Sequence, residues 1–341
     1  MKPLRFIPLL AALLVPLLMA GAGRAESESE ADYAQRPEVQ AFIEHVSRKH
    51  GFDPAELREL FAGVRQQKSI LRAIAKPAEA KPWYQYRRIF LTPERIQGGV
   101  AFWDEHAAAI ERASQEFGVD PQIIVAIIGV ETLYGRRTGR YPVLDALATL
   151  GFDYPKRGRF FRGELEEFLL LTREERMDPK AIKGSYAGAM GIGQFIPSSY
   201  RAYAVDFDGD GRRDLWDPED AIGSVAHYFE RHGWIRGGPV AVKARVEGDD
   251  YRKLPRKGAK PVVPVAMLER HGVHPPSGAL DGVSKVVFLE YDQGPARKEY
   301  WLGFDNFYVI TRYNRSPLYA MAVYQLSGEI AKARAKQARA R

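Results

Sequence analysis

Residues 121–135 read PQIIVAIIGVETLYG, and the rest of the chain is organised around that stretch. Pro121 suits the first position of a helix, where its missing N–H costs nothing, and Asp120 before it is a capping residue. Gly135 is a natural stop, because glycine tolerates the left-handed conformation on which helices often end. Ile123, Ile124, Val125, Ile127, Ile128 and Val130 leave no polar face, so the pattern predicts a buried helix. At its end stands a carboxylate, Glu131. A Glu in that place is paired, open to a cleft, or protonated. Desolvation disfavours its charged form, and in a lysozyme-type site this brings a Glu to roughly pH 6, where it acts as an acid. The plainer alternative is an ion pair with Arg136, Arg137 or Arg140.

Outward from this helix, helical spacing dominates the first two thirds of the chain. Val39, Phe42, Ile43 and Val46 mark one helix. Leu57, Leu60, Phe61 and Val64 mark a second, capped by Asp53 and begun by Pro54. Residues 77–88, KPAEAKPWYQYR, read as an irregular aromatic connection. Thr92-Pro93-Glu94 opens a helix expected to run through Phe102 and Ile110 to Phe117, with Gly118 ending it. Helical patterns return over 142–175, interrupted by the basic turn FDYPKRGR (152–159), and over 219–234. After Gly237-Gly238-Pro239 the pattern changes to β-type alternation: VAVKARV (240–246), KVVFLEY (285–291), EYWLGF (299–304) and FYVITRY (307–313). A final helix is expected over 316–335, ending in a basic tail.

The 341 residues suffice for two or three domains, and 45% hydrophobic with 27% charged residues is a soluble globular composition. Residues 1–25, MKPLRFIPLLAALLVPLLMAGAGRA, have the parts of a secretory signal: Lys2 and Arg5, an apolar run, and a small-x-small site at Gly23-Arg24-Ala25. Pro8 and Pro16 interrupt a run that is short for the roughly 20 residues of a membrane span. The formal charge of +7 becomes +4 without this leader, 47 basic against 43 acidic residues. That mild excess suits an anionic polymer without demanding one. There is no cysteine, hence no disulfide, thiolate metal site, cysteine nucleophile or lipidated cysteine. A periplasmic protein without a stable membrane anchor is expected.

Two further stretches carry chemistry. In DFDGDGRRDLWD (206–217), Asp206, Asp208 and Asp210 stand at alternate positions with Gly211 sixth, the opening of an EF-hand calcium loop. A hard cation wants several oxygens at about 2.3–2.6 Å, which alternate carboxylates on a tight turn supply. Arg212 would add its carbonyl. Asp217 stands at the twelfth position in place of the usual Glu, and Asp220 is the other candidate to close the site. The metal is expected to pin a loop, with no cofactor needed for catalysis. In GSYAGAMGIGQFIPSSY (184–200), four glycines in ten residues allow close approach of a ligand or another backbone. There is no Gly-Lys-Ser/Thr and no GxGxxG, so no phosphate loop. Ser185, Tyr186, Gln194 and Phe195 offer a groove the hydroxyl, amide and aromatic surfaces that suit a sugar with N-acetyl groups.

Together with PWYQYR (82–87), LDALATLGFDYP (144–155), YAVDFDGDGRRDLWDPEDAIGSVAHYFERHGW (203–234) and NFYVITRYNRSPLYAMAVYQL (306–326), these stretches resemble the membrane-bound lytic transglycosylase B family of peptidoglycan enzymes. The resemblance covers nearly the whole chain after the leader. It implies an α+β, mainly helical fold: a goose-lysozyme-like core with an additional helical domain and a small inserted antiparallel β domain. The division expected is a signal peptide over 1–25 and an N-terminal helical domain over 26–105. A catalytic core with the EF-hand-like loop follows over 106–237, then the β domain over 238–306 and a C-terminal segment and helix over 307–341.

The resemblance further implies exolytic, non-hydrolytic cleavage of the β-1,4 bond between N-acetylmuramic acid and N-acetylglucosamine, leaving a 1,6-anhydro end. Glu131 falls on the family's single catalytic carboxylate. Tyr86, Ser185, Gln194, Tyr228, Tyr313, Asn314 and Tyr319 match residues that contact sugar or flank that Glu. The calcium set carries over as Asp206, Asp208, Asp210, the Arg212 carbonyl and Asp220. The implied partners are peptidoglycan glycan strands and cell-wall synthesis or division proteins, with no nucleic acid, for a monomeric protein. Two departures stand out: the leader lacks the lipid-bearing cysteine, and Lys156-Arg157 sits where an arginine pair occurs. A hydrolytic muramidase, a non-catalytic peptidoglycan-binding protein and a calcium-sensing scaffold are the competing classes; a sensor usually pairs EF-hands, and this chain has one such loop.

Overall fold

The structure is a computed structural model that describes residues 33–74, 81–294 and 297–340. The expected signal peptide lies outside the described residues, among which no helix is long and apolar enough to cross a membrane. The described residues form two compact units, one over 81–137 and 203–340, the other over 33–74 and 138–202.

The second unit holds helices α1 (Pro37–His50), α2 (Pro54–Ala62) and α3 (Lys68–Ile74) at its start. As expected, the Asp53 side chain caps α2 by accepting from the Ala55 N–H. The chain returns as β1 (Tyr141–Pro142), α8 (Val143–Asp153), α9 (Gly158–Glu174), β2 (Lys183–Gly184) and α10 (Pro197–Tyr203). Here β1 and β2 pair antiparallel, and α8 packs on α9 and α3.

In the first unit the order is α4 (Trp83–Phe90), α5 (Pro93–Glu105), α6 (Ala107–Phe117), α7 (Pro121–Thr132) and, after the gap, α11 (Pro218–Arg231), α12 (Asp305–Tyr313) and α13 (Pro317–Ala340). The α7 helix touches α5, α6, α11 and α13. A helix ringed by four others has no side for water, which is why its sequence shows no polar face. Asp120 makes no side-chain cap; its backbone carbonyl instead accepts the Ile123 N–H at 2.9 Å.

Between α11 and α12 lies an antiparallel sheet of β3 (Ala241–Val246), β4 (Val263–Pro264), β5 (Val273–His274), β6 (Lys285–Gly294) and β7 (Arg297–Gly303), in the order β4-β6-β7-β3-β5. Val286 and Phe288 face a core with Tyr251, Val263 and Leu302. On the other face of β6, Val287, Leu289 and Tyr291 are buried too, and α4 packs against the strand with Trp83 5.1 Å from Tyr291. Burial on both faces explains the unbroken apolar run VVFL.

Three expectations are corrected. PWYQYR is not irregular: Trp83, Tyr86 and Phe90 are the buried face of α4. The stretch from Thr92 to Phe117 is two helices, parted at His106. FYVITRY is the helix α12, not a strand; its β-branched and aromatic residues bury Phe307, Ile310 and Tyr313 at helical spacing, so tertiary packing overrides β propensity.

Candidate active site

Glu131 sits in the last turn of α7, which ends at Thr132, three residues short of the expected Gly135 stop. Leu133 (φ 53°) and Tyr134 (φ 61°) take left-handed backbone ahead of Gly135 (φ 81°). A non-glycine residue there costs about 1–3 kcal/mol, so the turn must be held. The Leu133 and Arg137 N–H groups bond the carbonyls of Gly129 and Thr132 (3.2 and 2.9 Å), and the Gly135 N–H bonds Thr132 Oγ1 (3.0 Å). The Tyr134 hydroxyl donates to the Arg95 carbonyl (2.6 Å), while Arg95 Nε donates to the Gly129 carbonyl (3.1 Å). A Cβ on Gly98, Gly99 or Gly129 would strike the Tyr134 side chain. The three glycines therefore form a slot for this side chain. Sequence reading missed Arg95 and Tyr134; glycines inside good helical patterns were the available signal.

Tyr319 Oη donates to Glu131 Oε1 at 2.5 Å. The partner arrives from a position 188 residues later because of the turn between α12 and α13. Asn314 is extended, its side-chain oxygen accepts the Ser316 N–H (3.1 Å), and Ser316 Oγ accepts the Tyr319 N–H (3.3 Å). This cap starts α13 so that Tyr319, 1% exposed, points at the carboxylate. Burial, followed by the Glu131 charge, pushes the phenols of Tyr319 and Tyr313 well up. Tyr86 is wholly buried on α4, its ring 5.2 Å from that of Phe90. Tyr313 meets Tyr228 edge-on at 4.8 Å and stacks on Phe229 at 5.6 Å. The Tyr228 hydroxyl donates to the Arg312 carbonyl (2.6 Å). Thus Tyr86, Tyr228, Tyr313, Asn314 and Tyr319 all lie in the unit that holds Glu131, as a mostly buried wall.

Ser185, Gln194 and Phe195 lie in the other unit. Ser185 Oγ accepts the Ala187 and Ala189 N–H groups (3.3 and 3.0 Å), and Met190 and Phe195 exchange backbone bonds (2.8 and 3.0 Å). Phe195 is 2% exposed, an interior anchor of the loop. Gln194 is left-handed (φ 54°), and its Nε2 donates to the carbonyls of Thr138 and Gly191, both at 2.9 Å. With both amide hydrogens engaged, the side-chain oxygen is the group directed to another donor.

The aspartate loop, in the first unit, brings carboxylate oxygens of Asp206, Asp208 and Asp220 within 4.8 Å of one another. Asp220 is 1% exposed and accepts the N–H groups of Phe207 (2.6 Å), Asp208 (3.2 Å) and Asp214 (2.6 Å). Burial, with repulsion from Asp208, raises its carboxyl above the ordinary range against those donors. Asp217 caps α11 through the Glu219 and Asp220 N–H groups (2.7 and 3.3 Å). Of the two candidates for closing the site, it is Asp220 whose carboxylate lies with Asp206 and Asp208. Asp210 accepts the Arg212 N–H at 2.8 Å. Like charges gathered on a tight turn, one of them desolvated, form a donor set that fits a hard divalent cation.

The family model for the transglycosylase SLT domain matches residues 34–328, and the chain belongs to that family. Its activity is that of a peptidoglycan-cleaving transglycosylase, a lyase that degrades peptidoglycan. It is similar to membrane-bound lytic murein transglycosylase B of Escherichia coli (strain K12), 48% identical over 313 residues, 89% of this chain and 85% of that protein. Among solved structures it resembles catenated lytic transglycosylase SltB1 of Pseudomonas aeruginosa (51% identity, TM-score 0.84, 89% of this chain and 100% of that one). It also resembles Escherichia coli lytic transglycosylase Slt35 in complex with calcium (48% identity, TM-score 0.83, 89% and 96%). The mainly helical fold with a small antiparallel sheet agrees with these matches.

Proposed function

We propose that Glu131 is the single acid and base of the reaction, and that the bond cleaved is the β-1,4 link from N-acetylmuramic acid to N-acetylglucosamine. Protonated Glu131 gives its proton to the glycosidic oxygen as the C1–O4 bond breaks. The muramyl C6 hydroxyl then bonds to C1, and its proton passes to the Glu131 carboxylate. The residue ends as it began, no water is consumed, and a 1,6-anhydro ring closes. Ordinary glycosidases need a second carboxylate, at about 5 Å as nucleophile or about 6.5–9.5 Å as base to a water. Here the sugar supplies its own nucleophile. The observation that carries this reading is the Tyr319–Glu131 hydrogen bond, a neutral donor on a carboxylate within a tyrosine wall.

In the second unit, the Ser185 hydroxyl and the Gln194 amide suit the N-acetyl groups of the glycan, and the left-handed backbone at Gln194 supports a functional role there. Asp206, Asp208 and Asp220, with Asp210 and the Arg212 carbonyl, would hold a calcium ion whose charge offsets their repulsion and fixes the loop ahead of α11. Export through the 1–25 leader places the enzyme in the periplasm.

The test is Glu131→Gln on purified sacculi, with products read by mass spectrometry. The wild type is expected to release muropeptides one water lighter than reducing-end products. The variant should lose roughly 10²–10⁴-fold in rate, the usual worth of general acid–base catalysis, while sacculus binding survives. A fully active variant would refute the role of Glu131, and reducing ends alone would mark a hydrolase.

A further inference from the structure

The stretch that enters the aspartate loop is held by one stripe of α11. Asp220, Gly223, Ser224 and His227 follow at steps of three and four residues, so they share one face of the helix. Each takes a different part of residues 203–208. His227 Nδ1 lies 2.9 Å from the Tyr203 carbonyl oxygen; a carbonyl only accepts, so Nδ1 carries the proton. Ser224 Oγ accepts the Val205 N–H at 3.0 Å, and Asp220 Oδ1 accepts the Phe207 and Asp208 N–H groups. Gly223 leaves room for the Phe207 ring, since a Cβ there would come within 2.3 Å of Phe207 Cγ. Phe207 is buried, while Asp206 and Asp208 on either side of it are exposed. Arg112 adds a second hold: its guanidinium lies 3.8 Å from the Phe207 ring centroid and donates to the Phe207 carbonyl.

These bonds are the near end of a contiguous path to the reacting carboxylate, all of it within the unit that holds Glu131. The Tyr203 ring meets Tyr228 edge-on and His232 obliquely, both at 5.0 Å, and His232 lies nearly parallel to Tyr228 at 4.0 Å. The Tyr228 hydroxyl holds the Arg312 carbonyl at the end of α12. Asn314 and Ser316 follow in the turn that aims Tyr319, and Tyr319 bonds Glu131. Adjacency alone does not couple two sites; an element on the path must have two arrangements that both sites bias. The aspartate loop supplies one. Its three carboxylates, within 4.8 Å of one another, repel when no cation is bound and draw together around one that is. Asp220 faces both ways, since it belongs to that cluster and also accepts the Phe207 N–H.

We propose that Ser224 and His227 are positioning residues through which a divalent cation in the aspartate loop sets the Tyr203–Tyr228 stack and, by way of Arg312 and Tyr319, the hydrogen bond on Glu131. The proposal rests on the calcium and Glu131 readings above. The ion then does more than resist unfolding. Bound, it seats residues 203–208 against α11 and fixes Tyr203 on Tyr228. Without it, the segment loosens from the stripe, Tyr203 loses its place and the Tyr319 donor is less well aimed. Neither Ser224 nor His227 is among the candidate ligands of the ion or the groups that would meet the sugar, so their effect is one of placement.

The experiment titrates calcium chloride into the protein at fixed pH and follows the histidine ring resonances by NMR, with His232 assigned through His232→Gln. His232 sits between Tyr203 and Tyr228, so its resonances report how those rings are placed. In the wild type they are expected to shift and saturate at the calcium concentration that saturates the rise in Tm. Over the same range kcat should rise about fivefold or more, within the roughly 10–100-fold that losing the Tyr319 bond outright would cost. His227→Phe keeps a ring to pack on Phe117, 5.5 Å away, but has no donor for the Tyr203 carbonyl. Its Tm should still rise with calcium while the His232 shift and the gain in kcat largely vanish. His227→Asn, which returns an N–H donor near the place of Nδ1, should restore both. Ser224→Ala, which strips the Val205 N–H of its acceptor, serves should His227→Phe fail to fold. A wild-type Tm that rises with calcium while His232 stays still overturns the proposal, and so does a His227→Phe protein that responds like the wild type. A protein whose Tm and spectrum both ignore calcium sinks the calcium reading and the proposal with it. The spectrum does not depend on turnover, so a failure of the Glu131 reading shows in the products and not in the His232 shift.

Discussion

Asp208→Asn should reverse its effect on stability when calcium is added. Without the ion, Asp208 repels the buried Asp220 and shares a small space with Asp206. Asparagine removes a charge from that cluster and can still accept the Asp210 N–H that Asp208 Oδ1 takes at 2.9 Å. The variant is therefore expected to melt at or slightly above the wild type in chelator. With calcium the order inverts, because the variant has lost a charged ligand. Sites of extracellular modules bind with Kd of about 10⁻⁴–10⁻³ M. At 10 mM calcium, mass action then stabilises the wild type by about 1.4–2.7 kcal/mol. An unfolding entropy of about 2.1 cal/mol/K per residue, over the 300 described residues, turns this into a rise of roughly 2–4 °C. The assay is a calorimetric or fluorescence melt of both proteins across a calcium titration. Asp208→Asn retaining the full wild-type increment would refute the assignment of the loop. A chelator that removed activity without moving the melting temperature would refute a purely structural role for the ion.

Tyr319→Phe keeps the buried ring and deletes the donor to Glu131; a hydrogen bond to a charged group is worth about 1.5–3 kcal/mol, so kcat should fall roughly 10–100-fold with KM little changed, read in steady-state kinetics. Glu164 is buried in the second unit, accepts both the N–H and the hydroxyl of Ser198 (3.0 and 2.8 Å), and is pushed by burial up to about 7 from 4.5. A carboxyl raised in the native state binds its proton more tightly there than in the unfolded chain, so stability falls as pH rises from 4.5 to 7 and is level above, a loss of about 3 kcal/mol. Glu164→Gln should flatten that slope in melts taken across the interval. Gly129→Ala would drive a methyl into the Tyr134 hydroxyl, costing about 1–3 kcal/mol and lowering activity together with stability; a fully stable variant would show that the slot can widen.

What was legible followed from local rules. The all-round apolar character of α7 and the Asp53 cap each depend on neighbours within a few residues, and both stand in the structure; of the alternate aspartates, Asp206 and Asp208 gather with Asp220. The errors fall where distant packing decides. FYVITRY alternates like a strand, yet it follows Asn306, whose side chain grips the turn after α11 through Ile235 and Gly238 at 2.8–2.9 Å. That grip sits at the start of α12 and ties the chain back to the preceding turn. The α4 helix escapes pattern reading although Trp83, Tyr86 and Phe90 are spaced as one helical face, because its eight residues are too short a window. Glycine is the usual left-handed residue, so the sequence points to Gly135 as the end of α7. The Tyr134 slot instead forces two ordinary residues into that conformation first.

The same slot bears on the chemistry. A carboxylate on a helix end serves as acid and then base only if its surroundings neither move nor compete for the proton. Arg95 and Tyr134 hold the turn, and Asn314 and Ser316 hold Tyr319. The phenols of Tyr313, Tyr319 and Tyr228 are all raised, chiefly by burial, and His232 is lowered. Near neutral pH these four groups remain neutral. They donate or pack without titrating, which supports the proposal that Glu131 alone carries the proton traffic on this wall.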